Sequence, residues 1–303
     1  MTTSLYTNLP TSKLQALDVD FMSVATRNKT TAINRNITDS VDKSTLFETA
    51  LMTHPIVITT LGHFSIHKQG RLINGHEKNQ HKPVELLKLV IALGSRSVGE
   101  VRISDALWPD ADGDVAHTSF SVTLHRTRKL LAMESMLLSD GHLTLNSEVC
   151  WVDVWALNAL IGQIKNALND RQVLLDRIGM LTNQALHLYQ GHFLGNEDEQ
   201  PWFIAFREKV KSRLVRHLLR VCDTFENHGQ CHLAIDYYRK GIEIDPLSEE
   251  FYQRLMKCYA HRGRNAEAMG VYQQAQRLFK ALTGCEPSAA THAICRQIAR
   301  TAA

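Results

Sequence analysis

Four residues in the C-terminal half of the chain recur at one offset. Phe225, Gly229, Ala234 and Tyr238 return as Tyr259, Gly263, Ala268 and Tyr272, each 34 residues later. That period is one helix-turn-helix unit, and a single unit cannot bury its apolar face alone, so neighbouring units must stack. The residue types suit such a stack. Glycine allows the tight turn, alanine lets two helices approach closely, and the aromatic rings fill the interface. From Asp153 onward no convincing strand appears. The texture is helical, broken near Gly191 to Pro201, Gly229, Asp245-Pro246, Gly263 and Gly284.

The preceding stretch has a different grain. Ile56, Val57 and Ile58 are a β-branched run, and Phe64, Ile66, Leu72 and Ile73 flank Gln69-Gly70 as two short strands around a turn. Pro83 opens an apolar helix that Gly94 ends. Ile103, Ala106, Leu107 and Trp108 form a second short helix, stopped by Pro109. Asp110, Asp112 and Asp114 precede a third helix, about Val115 to Met133, where acidic residues complement the helix dipole. Leu137, Leu138, Asp140-Gly141, Leu143 and Leu145 then read as a hairpin with a preferred turn dipeptide. Strands, three helices and a hairpin follow one another in the order of a winged helix with an N-terminal sheet.

The expected architecture is therefore an α+β winged helix over residues 55–150, then an all-α tetratricopeptide-like domain over residues 151–303, mainly α overall. Residues 1–54 are rich in Ser, Thr and Asn, and their five basic and five acidic residues cancel. They read as a mostly disordered polar tail with a weak helix near Leu46 to Met52. An apolar fraction of 44% suffices for real cores. No run nears the roughly 18 apolar residues of a membrane helix, and no charged-then-apolar leader opens the chain, so a cytoplasmic protein with no membrane partner is expected. Cysteines at 150, 222, 231, 258, 285 and 295 form no Cys-x-x-Cys pair, which argues against structural zinc and for reduced thiols.

Several segments resemble a known family. Leu61-Gly62-His63-Phe64, Lys82-Pro83 and Leu107-Trp108-Pro109-Asp110-Ala111 resemble the DNA-binding domain of the antibiotic-regulatory-protein (SARP-type) activators, itself similar to the winged helix of response regulators. Trp151-Val152-Asp153-Val154-Trp155, Leu188-Tyr189-Gln190-Gly191-His192-Phe193-Leu194, Trp202, Arg207-Glu208 and Asp245-Pro246-Leu247-Ser248-Glu249 resemble that family's bacterial transcriptional activator domain. Arg254-Leu255-Met256, Gly263-Arg264, Glu267-Ala268, Glu286-Pro287-Ser288 and Thr291 continue the likeness. It covers about residues 56 to 300. It implies an activator whose winged helix binds double-stranded promoter DNA. The helical domain would serve self-association, contact with RNA polymerase, or reception of a signal. Two departures stand out. The family's third helix is usually arginine-rich, whereas this one carries only Arg126, Arg128 and Lys129 as basic residues. No Gly-x-x-x-x-Gly-Lys-Ser/Thr occurs, so the nucleotide-binding module of the larger relatives is not expected.

At 3.6 residues per turn, Ala116, Phe120, Leu124, Thr127 and Leu131 form the core stripe of the third helix. The opposite face holds Thr118, Ser121, Val122, His125, Arg128 and Lys129, with Arg126 beside it. In a winged helix that face enters the major groove. Arginine and lysine would read guanine edges or hold phosphates, hydroxyls bond either, and valine touches thymine methyls. The plainer alternative is a solvated face with three basic residues. In the hairpin, Ser139 and His142 reach phosphate or the minor groove, or belong to an ordinary exposed hairpin. Lys82 is a candidate phosphate ligand or a surface lysine. Residues 55–150 hold ten Lys or Arg and ten Asp or Glu, so affinity for DNA must come from segregated charge. The stretch Arg207, Lys209, Lys211, Arg213, Arg216 and Arg220 is a solvated face or a second phosphate or partner contact. His117 and His125 lack a third metal ligand, Gly94-Ser95-Arg96-Ser97-Val98-Gly99 is not a nucleophile elbow, and Trp151 and Trp155 suit packing at the domain junction. No enzyme, cofactor or metal site is expected. The rival reading is an interaction adapter whose winged helix does not bind DNA.

Overall fold

The computed structural model describes residues 45–73, 80–197 and 199–302. The expected disordered tail lies, for residues 1–44, outside the described residues. The weak helix at its end is present as α1 (Thr45–Thr53).

Strand β1 (Ile56–Thr59) pairs antiparallel with β2 (Ser65–Lys68), which pairs with β3 (Arg71–Leu72). The turn between β2 and β3 has φ of 50° at Gln69 and 73° at Gly70. Two successive positive φ values are the type I′ geometry that matches strand twist. Helix α2 (His81–Ala92) is buried on nearly every side, with Leu86, Leu87, Leu89 and Val90 fully enclosed. It packs on the next two helices, α3 (Glu100–Leu107) and α4 (Gly113–Leu130). α4 is shorter at its C-terminus than the expected Val115 to Met133, because Leu131 leaves helical geometry and Met133–Ser135 form a 3-10 turn.

A hairpin follows, β5 (Met136–Ser139) and β6 (His142–Leu145), again through a positive-φ pair, Asp140 and Gly141. A two-residue strand that the sequence does not announce, β4 (Val98–Gly99), adds to β6 and gives a second sheet ordered β4-β6-β5.

The expected domain boundary at 150/151 falls inside a strand. β7 (Cys150–Val152) pairs in parallel with β1, giving a first sheet ordered β3-β2-β1-β7. β1 is thus flanked by strands on both edges, and Ile56, Val57 and Ile58 are buried on both of its faces, which suits its uninterrupted apolar run. α5 (Asp153–Leu168) begins at once. Its first residue, Asp153, is buried, and its carboxylate accepts from Thr60 N (2.6 Å), Leu61 N (2.8 Å), Thr60 Oγ1 (2.6 Å) and Val154 N (2.7 Å). Burial pushes this carboxyl up from its ordinary range, and the four donors oppose that rise.

The remaining helices are α6 (Leu175–Leu188), α7 (Pro201–Asn227), α8 (Cys231–Ile244), α9 (Glu249–His261), α10 (Asn265–Thr283) and α11 (Ala289–Ala302). The 34-residue repeat lies where its period predicts. Gly229 ends α7 with φ 74°, Gly263 ends α9 with φ 70°. In both turns the glycine N–H bonds three residues back, and the following N–H bonds five back, to Phe225 O and Tyr259 O. This is the same Schellman closure twice. Ala234 and Ala268 are fully buried, while Tyr272 is only half-buried and bonds His292 of α11 instead of a further unit.

The two halves share one continuous apolar core. They also interlock through backbone. Leu61 bridges Phe193, Gly62 N donates to His192 O (2.9 Å), and Leu194 N donates to Thr60 O (2.7 Å). At Gly62, φ is +92° and a Cβ would lie 2.8 Å from Gln190 O, so only glycine fits. Arg207 of α7 holds the second loop by donating to Phe193 O and Leu194 O. Trp155 Nε1 donates to Ser95 Oγ (2.9 Å), which makes it a junction residue as its spacing suggested.

Candidate nucleic-acid interface

α4 turns its predicted stripe inward. Ala116, Phe120, Leu124, Thr127 and Leu131 are buried against α2 and α3, joined by Thr123. Burying one such large side chain is worth about 1.5–3 kcal/mol, enough to fix the rotation of the helix. The opposite face is exposed at Thr118, Ser121, Val122, His125, Arg126 and Lys129. Ser121, His125, Arg126 and Lys129 make no hydrogen bond or ion pair among the described residues. The Thr118 hydroxyl already donates to Asp114 O (2.9 Å), so it meets a ligand chiefly as an acceptor.

Arg128 departs from expectation. It is half-buried, and its Nε and Nη2 both donate to Met136 O, at 3.0 and 2.8 Å. The guanidinium clamps the hairpin onto α4, with two donors committed to backbone. The hairpin tip is pinned separately, by Glu100 N donating to Gly141 O (2.8 Å).

Ser139 and His142 are exposed at that tip but face inward in their bonding. Ser139 Oγ donates to Asp140 Oδ2 (3.1 Å), and His142 Nδ1 bonds Asp140 O (2.8 Å). The Asp140 carboxylate opposes a phosphate there. A residue missed from the sequence lies beside the hairpin. Arg96 is exposed between Ser95 and Ser97, whose φ values are +67° and +50°. Two bonds hold this loop to β6, Ser97 N to Thr144 Oγ1 (2.9 Å) and Leu145 N to Ser95 O (2.8 Å). Arg96 precedes the hairpin by some 40 residues, and only these long-range bonds and the β4–β6 pairing join them, so no local pattern could flag it.

Charge is graded along α4. Asp112 and Asp114 stand at its N-terminal end, where Glu100 also pairs with His117 (2.5 Å); Arg126, Arg128 and Lys129 stand at its C-terminal end. Each sign favours the helix dipole. The cationic side chains of α4 are therefore gathered at its C-terminal end. Lys82 is otherwise engaged, paired with Glu85 (2.9 Å) and donating to Leu107 O (3.3 Å). Of the basic stretch on α7, Arg207 and Lys211 have acidic partners, Glu199 at 3.3 Å and Glu208 at 2.9 Å. Among the described residues no group of three or more His, Cys, Asp or Glu could hold a metal ion, and no helix is long and apolar enough to cross a membrane.

Residues 152–299, within the helical half, match the family model of the bacterial transcriptional activator domain. The chain is 23% identical over 208 residues to the regulatory protein AfsR of Streptomyces griseus, an alignment covering 67% of this chain and 20% of the relative. The chain thus spans about a fifth of that relative's length. Among solved structures it is similar to Mycobacterium tuberculosis EmbR, described in complex with a low-affinity phosphopeptide. The TM-score is 0.61 at 18% identity, covering 82% of this chain and 65% of that one. This second likeness is one of fold.

Proposed function

We propose that this chain, with its bacterial transcriptional activator domain, is a sequence-specific regulator that activates transcription. In this reading residues 55–150 are a winged helix that binds promoter DNA through α4, and β5–β6 is its wing. The tetratricopeptide-type helical half serves self-association or contact with RNA polymerase. The carrying observation is the exposed face Thr118, Ser121, Val122, His125, Arg126 and Lys129, polar, cationic at one end, and mounted on a helix whose other face is locked in the core. Thr118 and Ser121 suit base edges, Arg126 and Lys129 suit phosphates. Arg128 acts through the wing it holds. The likeness to AfsR, a regulatory protein, supports the same class.

The test is an anisotropy titration of the full chain with duplexes from its own promoter region at several salt concentrations. Each phosphate contact contributes about −0.9 to the log-log salt slope, so Arg126→Ala with Lys129→Ala should flatten it by about 1.8. Ser121→Ala should change site preference by about 1–3 kcal/mol at a base it reads, leaving the slope unchanged. A slope and affinity untouched by the double variant would remove this face as the reading head. No binding by the parent to any promoter fragment would favour the adapter, for which the neutral charge of residues 55–150 speaks.

A further inference from the structure

A second cationic site lies in the helical half, away from α4. Gly162 and Lys165 of α5 and Arg213, Arg216, His217 and Arg220 of α7 line one groove, which encloses about 270 Å³. On α7 the four side chains stand at i, i+3, i+4 and i+7, a single face on which the three arginines repel. Nothing offsets that repulsion, because no carboxylate among the described residues pairs with Lys165, Arg213, Arg216 or Arg220. Of the other cations on α7, Lys209 is likewise without an acidic partner among the described residues, whereas two are paired. Arg207 and Lys211 on the same helix, and Arg254 against Asp223 (2.5 Å), each have an acidic partner. Two of the groove side chains are also held in place. Arg220 Nη2 donates to Asn169 Oδ1 (2.9 Å), and His217 Nδ1 bonds Arg213 O (2.7 Å).

We infer that the α5–α7 groove is a receptor for a small anion carrying two or more linked phosphate groups. Guanidinium groups match phosphate oxygens in geometry as well as charge. A single phosphate ester brings about −1.5 to −2 charges at neutral pH, which leaves roughly half of four cations uncompensated. Two or three linked phosphates match the site. The volume, about 270 Å³, lies just below the roughly 300–1,000 Å³ of small-molecule pockets, which suits a compact anion. Gly162 keeps the wall open, since a Cβ there would meet nothing within 4 Å. The site is separate from the proposed reading head and stands whether or not the chain binds DNA.

The test is calorimetric titration of the full chain with inorganic pyrophosphate, tripolyphosphate and orthophosphate at matched ionic strength. Pyrophosphate or tripolyphosphate should bind saturably at one site, about 10-fold or more tighter than orthophosphate, and should raise the melting temperature by mass action. Gly162→Glu lowers a carboxylate into the groove at a position where glutamate is the better helix former. Arg213→Ser with Arg216→Ser removes two cations and relieves repulsion. Each variant should keep its circular dichroism and weaken pyrophosphate about 10-fold or more. Lys240→Ser, on an ion-paired exposed lysine of α8, should not. Absence of saturable heat, or binding indifferent to both groove variants, would overturn the proposal. So would a groove that fails with pyrophosphate yet whose variants weaken binding of a duplex of unrelated sequence, since that marks a backbone contact.

Discussion

At the scale of single residues, Arg128 shows what helical periodicity reads and what it cannot. The period assigned α4 its inner and outer faces from Ala116 to Leu131, because rotation by 100° per residue is a local property. The period could not see that Met136 folds back under Arg128, since that contact depends on where the chain goes after the helix ends. The two arginines of the expected basic triad therefore separate in a measurable way. Arg128→Ala leaves the buried Met136 carbonyl without its donors, and should lower stability by about 1–3 kcal/mol in urea unfolding. Arg126→Ala should leave stability near that of the parent and act on DNA affinity alone. If Arg128→Ala proves as stable as Arg126→Ala, the clamp contributes nothing.

At the scale of elements, turns were more legible than contacts. Gln69-Gly70 and Asp140-Gly141 announced hairpins because both residues of a type I′ turn need positive φ, and few dipeptides tolerate it. Gly229 and Gly263 announced helix ends for the same reason. β4 and β7 were not announced: two- and three-residue strands carry no period, and their partners lie far off in sequence. Helix-interior glycines were equally silent. Gly241 faces the Phe251 ring, where a Cβ would lie 2.4 Å from two ring carbons, while Gly162 faces open space. Alanine at both positions gains helix propensity of up to about 1 kcal/mol. At 241 that gain is set against overpacking a fully buried ring, at about 1–3 kcal/mol. Gly162→Ala should therefore raise the urea midpoint and Gly241→Ala lower it. Equal shifts would mean the α8–α9 contact is looser than described.

At the scale of the whole molecule, three histidines shape the response to pH. Burial is the main cause that lowers His67, His192 and His217 below the ordinary histidine range; His63 adds to it at the first, Lys211 and Arg207 at the second, Arg220, Arg213 and Arg216 at the third. The unfolded chain, near pKa 6.5, binds these protons more readily than the folded one, so stability rises with pH in this window. The contribution is complete above about pH 6.5 and is lost as pH falls from there through the lowered folded values. The histidine contribution to the urea midpoint should drop between about pH 7 and 5, opposed toward the acid side by Asp153, whose raised carboxyl favours the folded chain as it takes up a proton; His192→Gln should shrink the drop, and an unchanged drop in that variant would contradict it. The linkage of the halves has a wider consequence. A polypeptide cut after residue 150 loses most of β7 from beside β1, the three bonds that Thr60 and Leu61 donate to Asp153, and the loop that fills the hollow at Gly62. That fragment should unfold without a cooperative transition, and a graft of it onto a foreign partner should fail. The protein is built as a ruler rather than as beads on a string. Should two copies pair through their helical halves, the gap between their α4 helices is machined into the core. An operator stretched by even half a turn of duplex, about 5 base pairs, should then lose binding outright, where a chain with a pliant tether would simply reach further.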